Sequence, residues 1–149
     1  MKKNLAIIAA ALIMCGIGSK AMAGGVGYIN YTKVQENYAY AQSAVKELDA
    51  KRLELQQYMV DKEKQYKALD TPLKKQNFED ATAREFNAKQ EALMKLQAQK
   101  GEQVYNKIQA AAKQVLVEQK LDAILDYNAV FIGGVDVTDQ VIQKLKTMP

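Results

Sequence analysis

The chain of 149 residues contains no histidine and a single cysteine, and it has no glycine-rich phosphate-binding loop. After residue 23 it has no cysteine, and its only serine is Ser43. Nucleophilic triads, thiol redox chemistry and zinc sites built on His or Cys are therefore excluded from that part of the chain. Neighbouring carboxylates such as Glu79 and Asp80 fall on a solvated helix. We predict a protein that is not an enzyme and that uses no metal and no cofactor.

The first 23 residues have the pattern of a secretory signal peptide. Two lysines precede an apolar run over Leu5–Ile17, and Ala21-Met-Ala23 matches a signal peptidase site. The run is shorter than the roughly twenty apolar residues that a membrane span needs. We predict cleavage after Ala23, which leaves residues 24–149 as a mature chain in the bacterial periplasm.

An alternative for this segment is a lipoprotein signal in which Cys15 carries the lipid. Such a signal needs a small residue directly before the cysteine, and Met14 occupies that position. We favour cleavage after Ala23, which removes the cysteine. An exported chain without disulfides fits a bacterial periplasm and argues against a small disulfide scaffold.

Removal of this segment changes the net charge. The whole chain has 21 basic and 17 acidic residues, and three of its lysines precede residue 24. The mature chain, with 18 basic against 17 acidic residues, is nearly neutral. We therefore expect no nucleic-acid partner and only weak attraction to an anionic membrane.

Residues 31–120 contain almost no glycine or proline, which predicts long helices. Pro72 suits the first turn of a helix and disfavours helix in the residue before it, so one break is predicted at Asp70-Thr71-Pro72. Tyr31–Leu69 then forms a single helix of about 58 Å at 1.5 Å per residue. The result is an arm in which two helices form a hairpin.

Both halves of this arm carry apolar residues at helical spacing. The first half has a heptad seam with two polar interruptions, typical of a coiled coil: Val34, Tyr38, Ala41, Val45, Leu48, Arg52, Leu55, Met59, Lys62, Tyr66 and Leu69. The seam of the return half consists of Phe78, Phe86, Leu93, Leu96, Val104, Ile108, Ala111 and Val115. An eleven-residue jump from Leu93 to Val104 interrupts the heptad of the second half, and Gly101 lies inside this jump. Gly101 is either a pivot or a glycine tolerated on the surface, and we favour the second interpretation.

Short segments with β propensity flank the arm. They are residues 26–30 before it, and 123–127 and 129–132 after it, with Asn128 in a tight turn and Gly133-Gly134 ending the last strand. So few strands do not stabilise themselves, and therefore the two chain ends must meet each other or other copies. Residues 24–30 and 121–149 are assigned to this body.

A final helix completes the body. Asp136 or Thr138 is predicted to cap it, because short polar side chains accept hydrogen bonds from the first free backbone N–H groups. Val141, Ile142 and Leu145 share one face of this helix and are predicted to be buried.

The chain ends resemble the Skp/OmpH family of periplasmic chaperones. Ile124-Leu-Asp-Tyr-Asn-Ala-Val-Phe131, followed by Asp136-Val-Thr-Asp139 and a short helix, resembles the end of that family, and Val26-Gly-Tyr-Ile-Asn30 is similar to its first strand. The resemblance implies an α+β, mostly α fold, with a long antiparallel coiled-coil hairpin that projects from a small β body, and a jellyfish-like homotrimer. It also implies an ATP-independent holdase that keeps unfolded outer-membrane proteins in a cavity between the arms.

Three sets of residues are assigned roles in such an assembly. The candidate client-binding residues are Tyr58, Met59, Tyr66, Leu69, Phe78 and Phe86, of which Met59, Leu69 and Phe86 are favoured instead as residues that zip the hairpin together. A basic tip that would contact acidic clients or a membrane surface weakly, and less so in salt, consists of Lys62, Lys64, Lys67, Lys74 and Lys75. The oligomerisation body contains Val26, Tyr28, Ile29, Ile124, Leu125, Val130 and Phe131.

Two other functions fit a helical hairpin. An envelope coiled-coil adaptor would dock a partner helix on the arm, but this role does not account for the terminal strands. A prefoldin-like assembly shares the architecture but would not carry a signal peptide. The mass of the mature protein in solution separates the chaperone from the adaptor, because a trimer favours the chaperone and a monomer favours the adaptor.

Overall fold

The computed structural model describes residues 24–148, so the predicted signal peptide and the Cys15 alternative lie outside the described residues. The fold is mostly helical, with two long helices and one small sheet. Its elements are β1 (Val26–Ile29), α1 (Tyr31–Glu36), α2 (Ala39–Lys67), α3 (Pro72–Glu118), β2 (Ala123–Asp126), a 3₁₀ turn (Tyr127–Ala129), β3 (Val135–Asp136) and α4 (Thr138–Thr147). Within the described range, no helix combines the length and apolarity needed to cross a bilayer.

The sheet joins the two ends of the chain. The strand β1 is central and pairs in parallel with β2 on one side and with β3 on the other. Val26 lies opposite Ala123, and Tyr28 lies opposite Asp136. The prediction that the terminal strands meet is confirmed. Both edge strands, β2 and β3, are short, so little unpaired backbone is left at either edge.

The strand predicted over residues 129–132 is wrong. Asp126 Oδ1 accepts hydrogen bonds from the backbone and side-chain nitrogens of Asn128, each at 2.8 Å, and the chain turns into the 3₁₀ segment. Asn128 does not adopt the left-handed conformation, whereas Gly133 and Gly134 do, with φ of 83° and 90°. A carboxylate two residues earlier offers the backbone a local partner, which favours the turn over a ladder.

The single helix predicted over Tyr31–Leu69 is also wrong, because the chain breaks after Glu36. The side-chain nitrogen of Asn37 donates to the carbonyl of Lys33 at 2.9 Å, and Tyr38 is extended, with φ of −100° and ψ of 111°. The short α1 packs on α4, whereas α2 packs on α3. Because of this break, residues 31–36 pack on α4 while the helix that follows packs on α3.

The predicted break before Pro72 is confirmed. The helix α2 ends at Lys67 and α3 begins at Pro72, with Thr71 Oγ1 accepting a hydrogen bond from the backbone nitrogen of Lys74 at 3.3 Å. Proline in the first turn needs no N–H partner and Thr71 caps the turn, so the local sequence is sufficient to restart the helix here.

The two long helices contact each other from the body to the tip. Tyr40 near the start of α2 contacts Gln103, Tyr58 contacts Glu85, and Tyr66 contacts Phe78 near the start of α3. With 29 residues in α2 and 47 in α3, the helices are about 44 Å and 70 Å long. We call residues 49–96 the distal half of the arm.

The predicted seam of α3 is confirmed, but the seam of α2 is shifted at two positions. Ala44 is buried where Val45 was predicted, and Tyr58 is half-buried where Met59 was predicted. At both places two apolar residues are adjacent, so the sequence pattern does not choose between them. Contacts with α3 decide, as when Glu85 accepts a hydrogen bond from Tyr58.

The hydrophobic core lies where the inner ends of the long helices meet α1, α4 and β1. We call this region the base; its buried residues are Ile29, Val34, Ala41, Val104, Ile108, Ala111, Val115, Leu121, Val137, Val141, Ile142 and Leu145. The predicted burial of one face of α4 is confirmed. The base thus includes residues of the arm as well as the terminal elements.

The cap of α4 agrees with the prediction only in part, because Asp136 accepts a hydrogen bond from the first helical nitrogen but does not occupy the capping position. Val137 is the capping residue, and it makes no side-chain hydrogen bond to the helix. Asp136 Oδ1 instead accepts hydrogen bonds from the nitrogen and the hydroxyl of Thr138, at 2.9 and 2.5 Å. The Thr138 hydroxyl oxygen in turn accepts from the nitrogen of Asn30 at 3.0 Å. This chain of bonds ties α4 to the junction between β1 and α1.

Candidate functional site

A groove between α2 and α3 near the tip contains four of the six predicted client-binding residues. We call it the distal groove; it encloses about 440 Å³ and is lined by Met59, Lys62, Glu63, Tyr66, Phe78, Glu79, Thr82, Ala83, Phe86 and Asn87. The rings of Tyr66 and Phe78 lie with their centroids 6.4 Å apart. Tyr58 and Leu69 are not among the residues that line it.

Helical spacing places these side chains on the groove. Phe78, Thr82 and Phe86 are four residues apart and form one face of α3, while Met59 and Tyr66 are seven residues apart on α2. None of the five side chains is fully buried, and Met59 is 42% exposed. The groove therefore offers apolar and aromatic surface that the chain itself covers only in part.

Beside the groove, three side chains join the two helices. We call Tyr58, Lys62 and Glu85 the distal clasp: the Tyr58 hydroxyl donates to Glu85 Oε2 at 2.6 Å, and Lys62 Nζ lies 3.1 Å from the same oxygen. Lys62 Nζ is also 5.1 Å from the centroid of the Tyr58 ring and 5.3 Å from that of Phe78. Lys89 Nζ lies 5.2 Å from the Tyr58 ring. These distances are typical of cation–π contacts.

The clasp shifts the protonation equilibria of its members. The hydrogen bond from Tyr58, followed by that from Lys62, lowers the pKa of Glu85. Desolvation and the bond to Glu85 raise the pKa of Tyr58, and the bond to Glu85 raises the pKa of Lys62. All three shifts favour the charge states that hold the clasp together at neutral pH.

Most lysines of the predicted basic tip have carboxylate partners within the arm. Lys67 pairs with Glu63 at 2.6 Å and Lys74 with Asp70 at 2.9 Å. Lys64 lies 3.7 Å from Asp61, Lys62 belongs to the clasp, and Lys75 Nζ lies 5.4 Å from the Tyr66 ring. The positive potential at the tip is therefore smaller than the number of lysines suggests.

The residues predicted for the oligomerisation body divide into two groups. Ile29 is buried in the core and Ile124 packs against it, while Val130 is half-buried and Tyr28 packs on Tyr127 with ring centroids 6.0 Å apart. Val26, Leu125 and Phe131 remain exposed to 43%, 42% and 102%, and the neighbouring Ile132 to 88%. The second group leaves an apolar surface on the body that no described part of the chain covers.

A family model described as outer membrane protein (OmpH-like) matches residues 25–145. The chain belongs to this OmpH-like family. The match spans the terminal strands, both long helices and most of α4, so it covers the body and the arm together.

Among solved structures, this OmpH-like chain is similar to a crystal structure named as a candidate outer membrane chaperone (OmpH-like) from Caulobacter crescentus CB15. The alignment covers 82% of this chain and 83% of that chain, with 19% sequence identity and a TM-score of 0.36. A search of curated proteins found no match. The family assignment rests on the family model.

Two residues of the OmpH-like arm were missed from the sequence. Glu85 was not predicted, although a lysine at a seam position, Lys62, needs a carboxylate across the seam and so gave a signal. Thr82 was missed although it lies midway between Phe78 and Phe86. Its hydroxyl oxygen is buried and has no hydrogen-bond partner among the residues that the structure describes.

Proposed function

We propose that this OmpH-like protein is an ATP-independent holdase of the periplasm that binds unfolded outer-membrane proteins and prevents their aggregation. In this proposal α2 and α3 form an antiparallel coiled-coil hairpin, and three hairpins surround a cavity. The clients are held by many weak contacts, whose sum gives a long residence time. Membership of the family supports the proposal, and the half-covered aromatic surface of the distal groove is the observation that carries it.

The distal groove suits unfolded barrel strands because such strands alternate apolar and polar residues and carry aromatic side chains at both ends. Tyr66 and Phe78 offer flat faces, and Met59 offers a flexible thioether that adapts to different partners. A shallow, open groove holds a side chain without requiring one sequence. That property is expected of a protein with many clients.

Association of copies is proposed to occur through the body. Phe131 and Ile132 are almost fully exposed next to the short sheet, and solitary proteins seldom leave adjacent large apolar side chains in water. Their exposure supports association of copies, and we propose that three copies bury these side chains together with the arms on one side. Phe131→Ser is expected to shift the mature protein towards monomer in analytical ultracentrifugation.

The central test is suppression of aggregation. An unfolded outer-membrane barrel protein is diluted from urea into buffer with the mature protein, and light scattering is followed. The double variant Tyr66→Ala/Phe78→Ala removes the ring pair of the groove, and we expect it to require several times more protein for the same suppression. Tyr127→Ala, which removes an equally aromatic but body-located ring, serves as the control.

Unchanged suppression by a folded Tyr66→Ala/Phe78→Ala variant would exclude the groove as the gripping surface. Equal loss with Tyr127→Ala would point to a general defect in assembly. A monomer that suppresses no aggregation would favour the envelope adaptor, in which the arm docks a partner helix. The mass of the mature protein in solution is therefore measured with each variant.

A further inference from the structure

Two lysines occupy positions between the long helices, and each lies near a tyrosine ring and pairs with a glutamate of the other long helix. Lys62 lies on the Tyr58 ring and pairs with Glu85, and Lys100 lies 5.7 Å from the centroid of the Tyr40 ring and pairs with Glu47 at 2.7 Å. Their side chains are only 21% and 20% exposed. Each pair joins one long helix to the other. A partly buried lysine needs such partners because desolvation of an unpaired charge is costly.

The two lysines differ in how well the helices around them are buried. Lys100 lies beside the base, where Val104 and Ile108 are almost fully buried. Lys62 lies in the distal half, where the described residues include no fully buried side chain. Within the described residues, Lys62–Glu85 is the one ion pair that joins α2 to α3 in that half. Besides this pair, the side-chain hydrogen bonds of Tyr58 with Glu85 and of Tyr66 with Glu79 join the two helices there. The distal contact therefore has fewer buried neighbours to support it than Lys100 has beside the base.

The same lysine covers two aromatic faces. Its Nζ atom lies 5.1 Å from the Tyr58 centroid and 5.3 Å from the Phe78 centroid, while Glu85 fixes its position. Phe78 lines the distal groove. As long as Lys62 stays on Glu85, part of each ring is closed to other apolar groups.

We propose that the distal clasp is a latch: Lys62, anchored by Glu85, holds the distal half of α2 on α3, and its release exposes the Tyr58 and Phe78 rings to a client. The exposure of the rings to a client rests on the proposed function, whereas the holding of α2 on α3 by Lys62 does not. The latch has two charge-assisted contacts on one carboxylate, and the ion pair between Lys62 and Glu85 is the one that salt screens, so salt is expected to weaken the latch.

Amide hydrogen exchange of the full mature protein tests the latch without any client. Glu85→Gln keeps the size of the anchor but removes its charge. We expect exchange within residues 55–66 and 78–90 to become roughly threefold to tenfold faster, and exchange within residues 104–118 to stay unchanged. Raising the salt concentration is expected to speed up distal exchange in the wild type and to have little further effect in Glu85→Gln.

The matched control is Glu54→Gln. Glu54 pairs with Lys51 at 2.7 Å inside α2, both side chains are largely exposed, and the variant removes the same charge from the same arm. We expect no change of distal exchange. Equal exchange in the wild type and in both variants would overturn the latch, and so would equal acceleration by Glu54→Gln, because the effect would then be one of net charge.

Client holding tests the second step. Glu85→Gln is expected to lower, by about twofold or more, the protein concentration that halves aggregation of the unfolded barrel protein, as freed rings add binding contacts. Faster exchange together with unchanged holding would overturn the exposure of the rings to client. Failure of the wild type to hold the client would instead contradict the proposed function, while the exchange result would still decide the latch.

Discussion

The base and the distal half of the arm are built from similar apolar spacing but differ in burial. At the base, Val104, Ile108, Ala111 and Val115 are between 0% and 4% exposed. In the distal half, the residues at corresponding seam positions of α3, such as Phe86 and Leu93, are only half-buried. Two packed helices bury one narrow stripe of each, and full burial needs a third element. At the base α4 supplies that element.

The base and the distal half also differ in their polar contacts, which are buried in the base and largely exposed in the distal half. The base contains Thr138, which is 2% exposed and whose hydroxyl links Asp136 to Asn30. The distal half has the clasp, in which Glu85 is about half exposed. A buried hydrogen-bond network fixes a unique structure, whereas an exposed one is screened by water and salt. We infer that stability is concentrated in the base and adaptability in the distal half.

The largest expected effect is that of removing core volume from the base. Ile108→Ala should lower the free energy of unfolding by about 2–5 kcal/mol, because the side chain is almost fully buried. Leu93→Ala, at a half-buried seam position, should cost about half as much. Urea unfolding followed by circular dichroism, at one protein concentration, measures both. Equal losses of unfolding free energy in the two variants would mean that the distal seam is buried as well as the base, which would contradict the difference between the two regions.

The hydrogen-bond network of the base is expected to have the next largest effect. Thr138→Val keeps the shape of the side chain but leaves the backbone nitrogen of Asn30 without its acceptor, so the loss should be about 1–3 kcal/mol. Thr147→Val on the same helix removes an exposed hydroxyl that donates to the carbonyl of Lys144. That control should change stability by less than about 0.5 kcal/mol. Similar losses in both variants would show that the network contributes nothing specific.

Acid should loosen the distal half through Glu85. Its pKa in the folded protein is lowered by Tyr58 and Lys62, so its contribution is fully present above the ordinary value of 4.5 and is lost as the pH falls through the lower folded value. The charged or titratable groups that face it are Tyr58, Lys62 and Lys89, and the pKa values of Tyr58 and Lys62 are both raised by their contacts in the folded protein.

Urea unfolding between pH 3 and pH 7 measures this effect. The wild type should lose stability at the acid end, and Glu85→Gln should lose less because its amide does not titrate. Asp136 remains in that variant, and its pKa is lowered by its hydrogen bonds to Thr138, so some acid sensitivity of the base should persist. Identical pH profiles for the two proteins would assign all of the acid sensitivity to groups outside the clasp.

The long helices were predictable because strong local signals determine them. Pro72 and Thr71 together define the start of α3, and the predicted seam of α3 from Phe78 to Val115 is continuous except around Gly101. The position of α1 was not predictable. Whether residues 31–36 continue into α2 depends on where α4 lies, and that contact joins residues about a hundred positions apart. Local propensity favours one helix, and tertiary packing overrides it.

The candidate site was predictable as a set of residue types but not as a surface. Helical periodicity placed Tyr66, Phe78 and Phe86 near the tip, and all three line the distal groove. It did not separate Tyr58 from Met59, since adjacent apolar residues satisfy the same pattern. Nor did it find Glu85, because the pairing of two helices across a turn fixes which carboxylate meets Lys62. Such pairings are properties of the fold rather than of the local sequence.

Substitution of Gly101 is expected to change stability the least, and it tests whether stability and client binding change together. It lies inside the uninterrupted helix α3, and a Cβ atom added there would meet nothing within 4 Å. Gly101→Ala should therefore raise stability by up to about 1 kcal/mol, because alanine loses less backbone entropy in a helix. Ala98→Gly, at an exposed position one turn away, should lower it by a similar amount.

Thermal unfolding compares these two variants, and aggregation assays follow the same proteins. A tolerated surface glycine predicts that Gly101→Ala gains stability and holds clients as well as the wild type. A pivot predicts the same gain with weaker holding, because the residue lies at the junction of the rigid base and the distal half and its substitution would stiffen that junction. In that case flexibility at Gly101, where the base meets the distal half, would contribute to client binding.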